Sequence, residues 1–155
     1  VAGSAGKNHG PAATLAVDAG NTEMRDAAHT LAFLRFPVTT PGKPLAATLR
    51  LYVPEAGHSH SQDSGTICLA EGPWEEGRVT YATMPRVGRQ VADLGKVDQK
   101  QWAERRLDLD LTGLTTLDLV IVPRSTDGAT YESRDGLHKP ELVIEYEARP
   151  PGTAP

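Results

Sequence analysis

The sequence predicts an antiparallel all-β fold, a sandwich or a barrel, on three observations. Apolar residues recur mostly at every second position, which sets one face of a strand on a core and the other on solvent. The apolar runs are short, and Gly, Pro, Asp and Ser clusters separate them. Long stretches of helical period are missing, so runs of strands joined by turns are the architecture that buries these faces.

About nine strands follow along the chain. The first two are expected near 13–17 (ATLAV) and 30–37 (TLAFLRFP). Near 46–53 the alternation is clearest, with Leu49, Leu51 and Val53 set against Thr48, Arg50 and Tyr52. Further runs lie near 65–71 (GTICLAE), 78–82 (RVTYA) and 102–109 (WAERRLDL). The last three are near 117–123 (LDLVIVP), 129–134 (ATYESR) and 141–147 (ELVIEYE). Pro37, Pro54 and Pro123 close strands, where a missing N–H does little harm. In DLTGL, Asp110 is read as the N-cap of one helical turn that Gly113 stops.

With 155 residues the chain fits one domain. The module is placed at 8–147. Residues 1–7 form an N-terminal segment, and 148–155 a proline-rich linker or tail that suggests neighbouring domains of a larger polypeptide. The net charge of −4 offers no basic excess for nucleic acid or a membrane surface. No apolar run approaches the roughly 20 residues that span a bilayer. Cys68 is the only cysteine, so no internal disulfide forms, and in its apolar run it reads as a small buried hydrophobe.

Candidate chemistry starts in GPWEEGRVTYATMPRVG (72–88). Trp74 is either a sugar-stacking platform or a loop anchor. Glu75 and Glu76 are adjacent, so on an extended chain they face opposite ways and cannot flank one glycosidic bond. Trp102 opens a strand after a polar run and has fewer core neighbours, which favours a ligand-facing role. Arginines outnumber lysines, and their planar forks suit the carboxylates of acidic sugars. Arg35, Arg50 and Arg134 are the candidates, with Asp135 a local partner for Arg134.

In HSHSQDSG, His58 and His60 are two apart with Asp63 following, a spacing that serves one transition metal if the stretch is a strand and nothing if it is a solvated loop. Asp108, Asp110, Asp118 and Asp127 are oxygen donors for a structural calcium, although capping is the simpler role for Asp110. His9, His29 and His138 have no partners visible in sequence. No phosphate loop, zinc spacing or serine elbow is present, so no enzyme is expected.

Six ordered pieces resemble one family. They are NHGPAATLAV (8–17), FLRFPV (33–38), PLAATLRLYV (44–53), GPWEEGRVTYATMP (72–85), LDLDLTGL (107–114) and YESRDGLHKPELVIEY (131–146). Together they resemble the DNRLRE-type domain, carbohydrate-binding module family ninety-six. Tyr81 stands where that family usually has Trp, and Asp135 where it has Glu. On this resemblance the family's first strand, with its opening Asp, is expected to be truncated before Val1, and a calcium site built on that Asp would then be incomplete or absent.

The resemblance implies a jelly-roll-like antiparallel β-sandwich and a non-catalytic module of a secreted or cell-surface bacterial protein. The expected partner is an extracellular polysaccharide, including acidic ones, with Trp102, Arg134, Arg35, Arg50 and Trp74 as ligand contacts. No cofactor is required, and a structural calcium is compatible. A structural or adhesive module without a glycan is the alternative, and a metal-binding domain on His58 and His60 the weaker one.

Overall fold

The structure, a computed structural model, describes residues 12–19 and 30–148. The N-terminal segment 1–7, the Asn-x-Gly at 8–10, His9, His29 and the tail beyond residue 148 lie outside the described residues. Among the described residues there are nine strands: β1 (Thr14–Val17), β2 (Ala32–Pro37), β3 (Pro44–Val53), β4 (Thr66–Glu71), β5 (Arg86–Asp93), β6 (Gln101–Leu107), β7 (Thr116–Val122), β8 (Ala129–Glu132) and β9 (Glu141–Tyr146). All pairings are antiparallel. They form a four-stranded sheet in the order β2-β7-β4-β5, a three-stranded sheet β6-β3-β9 and a two-stranded pair β1-β8.

Alternation builds the core. Leu117, Leu119 and Ile121 of β7 point inward with Ala32 and Leu34 of β2 and Ile67 of β4. They meet Ala47, Leu49, Leu51 and Val53 of β3, Ala103 and Leu107 of β6, and Ala129 and Tyr131 of β8 in one cluster. This is the sandwich that the sequence predicts. Each buried Leu or Ile removes apolar surface from water, worth roughly 1.5–3 kcal/mol.

The central strands β7 and β4 are also buried on their outer face. Phe33, Val120, Cys68 and Gln90 lie in one cross-strand row there. Val120 and Cys68 are both buried, so Cys68 is the buried hydrophobe that its apolar run predicts.

The expected strand at 78–82 is instead a loop. Val79 and Thr80 have the side chains of a strand, but the Glu75 carbonyl accepts from the N–H groups of both Arg78 and Val79, closing a turn. Thr80 and Thr83 then bond each other's hydroxyls and N–H groups, so local side-chain bonds defeat β propensity. The strand lies further on, at β5, where alternation is blurred by irregular register against β4 between Ile67 and Ala70.

Asp110 caps no helix. Its Oδ1 accepts from Thr112 N at 2.9 Å, and Leu114 N reaches Leu111 O at 3.1 Å across Gly113 at φ +81°. That is an Asx-stabilised β-turn, with glycine at the position that needs a left-handed φ.

One polar cluster ties three segments. Arg124, after β7, donates to Asp63 before β4 and to Asp93 at the end of β5, at 2.7–3.1 Å. The Arg124 hydrogen bonds hold both carboxyls below the usual carboxylate range. The sign follows: a depressed folded pKa stabilises above the unfolded value of about 3.9 and is lost as pH falls through the folded value. Removing Arg124 by Arg124→Ala should therefore lower the urea midpoint at pH 7. The gap to wild type should close as pH drops below about 4. Solvent screening keeps the effect small, since the side chains of Asp63 and Asp93 are 37% and 50% exposed. A gap that persists unchanged at pH 2 would show that the carboxylates are not its origin.

Candidate functional site

The sequence candidates fall into two separate groups. Trp74, Arg35 and Arg134 come together along β2. Trp102 and Arg50 lie on the outer face of the three-stranded sheet.

The first group lines a groove of about 690 Å³. Phe33 and Arg35 on one face of β2, and Leu34 and Phe36 on the other, all line it. It therefore follows the edge of β2 that β7 leaves unpaired. The loop 72–85 contributes Trp74, Glu76 and Tyr81, and the β8–β9 loop contributes Arg134 and Lys139. Half-buried apolar side chains form the lining, whereas Arg35, Arg134 and Lys139 are exposed at its margin.

Trp74 anchors the loop 72–85. Its ring tilts against Phe33 at 5.7 Å, and the Arg35 guanidinium sits 4.5 Å from its centroid. Arg35 itself donates twice to Asp118, its register partner on β7, at 2.7 and 3.0 Å. This bond raises the Arg35 pKa further above its usual value. The indole Nε1 is buried and finds no partner among the described residues. Arg134 reaches across to Glu76 at 2.8 Å, nearer than its sequence neighbour Asp135 at 3.8 Å, so the two loops are tied across the groove.

Glu75 and Glu76 do not lie on an extended chain. They sit at a turn, with Glu75 paired to Arg78 at 3.2 Å and Glu76 to Arg134. Each faces a cation, not its neighbour, so they do not make an acid/base pair with each other.

The second group is a cross-strand cluster. Tyr52 and Trp102 are register partners on β3 and β6, edge to face at 5.4 Å. Arg50 lies 4.3 Å from the Trp102 centroid and is held by Glu104 on one side and Glu141 on the other. His138 stacks on Tyr52 at 3.8 Å, and its Nδ1 and backbone N both bond Glu132 Oε2, at 2.6 and 2.7 Å. His138, without a visible partner in the sequence, is thus among the best-held side chains here. Its partners lie 6 and 86 positions away, and no local pattern signals them. Lys139 and Tyr81 of the groove carry no such signal in the sequence either, because only the fold brings them beside Phe33 on β2.

Among the described residues no three His, Cys, Asp or Glu side chains stand together as a metal site requires. His58 and His60 are exposed on either side of buried Ser59, in a loop where His58 has φ +65°. A strand face is therefore not what aligns them, and the nearby Asp63 is occupied by Arg124. The four aspartates do not converge. Asp108 bonds Val91 and Arg89 through its backbone, Asp110 closes its turn, Asp118 holds Arg35, and Asp127 accepts from Ser61 and Gln62. No three of these carboxylates stand together among the described residues.

The molecule is an antiparallel β-sandwich with a surface groove of apolar lining and cationic margin. The sequence matches the profile of carbohydrate-binding module family 96 over residues 1–146, and the chain belongs to that family. No curated protein matches it significantly.

Proposed function

We propose that the chain is a non-catalytic module that binds an acidic polysaccharide in the β2 groove. The supporting observation is the groove itself: an apolar lining suited to the C–H faces of sugar rings, with Arg134 and Lys139 at the margin for uronate carboxylates. The module would act by adsorption, raising the local concentration of an attached domain at the polymer. The reading includes a secreted or cell-surface location in a bacterium, where a polymer of that kind would be met. No cofactor takes part in this reading.

Affinity electrophoresis through gels containing alginate, a polyuronate, tests it. Wild type should be retarded, with or without EDTA, and less so at high salt. Arg134→Ala with Lys139→Ala should weaken the apparent affinity about tenfold, the cost of one or two charge-assisted bonds. Equal retardation of wild type and double variant would place the ligand elsewhere.

A second reading, a structural module without a glycan, is favoured by one observation. Both tryptophans already have a ring partner in an arginine, Trp74 in Arg35 and Trp102 in Arg50, so neither offers a fully open platform. No retardation on acidic or neutral polymers would select it.

A further inference from the structure

We propose that His138 is a positioning residue that sets the cationic margin of the groove from the opposite sheet. This rests on the groove being the glycan site. The β8–β9 loop, residues 133–140, is the element shared by both side-chain groups. Its first residue, Ser133, is buried and bonded to the segment before β1: its Oγ donates to Ala12 O at 2.7 Å and its N–H to Ala13 O at 2.9 Å. Ser133 also shapes the turn that follows, accepting from Asp135 N and Gly136 N. The loop then runs outward, and Leu137 is 92% exposed at its tip.

His138 brings the chain back. Glu132, at the end of β8 and with a side chain only 14% exposed, accepts from both the backbone N and the ring Nδ1 of His138. The ring is stacked on Tyr52 of β3 and meets the edge of Trp102 of β6 at 5.9 Å. Lys139 and Pro140 follow directly and line the groove, as does Arg134 on the other limb. The loop is thus fixed at its two ends by Ser133 and His138, Arg134 is tied across the groove to Glu76, and the groove cations project from the limbs between and beside the end points. Losing the second point frees Lys139 to sample positions away from β2 and leaves the Arg134 limb held by Ser133 and the exposed Glu76 ion pair. A site left without its supporting contacts binds more weakly, though no ligand contact has been removed.

Trypsin supplies a readout that needs no glycan. Within the loop it can cut only at Arg134–Asp135, because Lys139 is followed by Pro140. Arg78–Val79, in the other groove loop, serves as internal control. His138→Ala should speed cleavage after Arg134 about tenfold relative to Arg78 by lowering the cost of local opening. It should also weaken alginate retardation roughly three- to tenfold while the melting temperature stays near wild type. His138→Asn, whose amide N can replace Nδ1, should recover part of both effects. It also serves if the alanine variant does not fold. Unchanged cleavage after Arg134 overturns the proposal, and so does faster cleavage with unchanged retardation. If wild type itself is not retarded, the groove reading fails, and cleavage still judges whether His138 holds the loop.

Discussion

Gly65→Ala should lower the stability of the domain by about 3–5 kcal/mol, enough to unfold much of a marginally stable module. Gly65 directly precedes β4 and has φ +114°, a region that L side chains rarely adopt. A Cβ placed there would lie 2.1 Å from the carbonyl oxygen of Val122 and 3.0 Å from its carbon. Both are backbone atoms at the end of β7, and Thr66 pairs with Val122 in the next step of the ladder. The β4–β7 register would have to shift to relieve the clash, and these are the central strands of the four-stranded sheet. The Gly65 carbonyl also accepts from Leu94 N at 2.9 Å, so movement at Gly65 disturbs β5 as well. Gly77→Ala is the control. Its Cβ would meet nothing within 4 Å, and its stability should stay within about 0.5 kcal/mol of wild type. Urea unfolding followed by tryptophan fluorescence measures both. Equal midpoints for the two variants would remove the steric account.

Trp74→Ala should cost about 2–4 kcal/mol, below the full range for a buried tryptophan because the residue is only half-buried. The loss has two parts, the contact with Phe33 and the stack under Arg35. The second is separable. A double-mutant cycle between Trp74→Ala and Arg35→Ala should return a coupling of about 1 kcal/mol, the scale of a half-solvated cation–π pair. Trp74→Phe should be mild, because the indole N–H has no partner among the described residues and its removal breaks no bond. It should also keep alginate retardation nearer to wild type than the alanine variant does. If Trp74→Phe costs as much as Trp74→Ala, the ring is not acting as an apolar anchor.

Much of the fold was legible from period alone. The segments that became β3 and β7 bury one face against the other layer, so Leu49 to Val53 and Leu117 to Ile121 repeat at every second position. The misreading at 78–82 came from judging Val79 and Thr80 by propensity. The turn around Glu75 and the Thr80–Thr83 bonds are local, but sequence does not rank them against a strand. β5 was missed because RVGRQVAD carries glycine and long polar residues through an irregular pairing, with Val91 its only buried side chain.

The candidate site was legible by residue and not by place. Trp74, Arg35 and Arg134 were each visible as chemistry, yet only strand order shows that they share a groove. The same order sends Trp102 and Arg50 to the other sheet. Of the two roles open to Trp74, platform or anchor, the Arg35 stack supports the anchor.

Cys68 carries a consequence for kinetics. It is the only thiol in the sequence, 6% exposed, and separated from Phe33 by Val120 alone in the outer row against which Trp74 packs. A thiol reagent can reach it only when that outer layer parts or the sandwich opens. Its modification rate is therefore an intrinsic clock for those openings. Compared with the global unfolding rate, the clock tells whether Cys68 is exposed by a local opening of the four-stranded sheet or only when the whole domain comes apart.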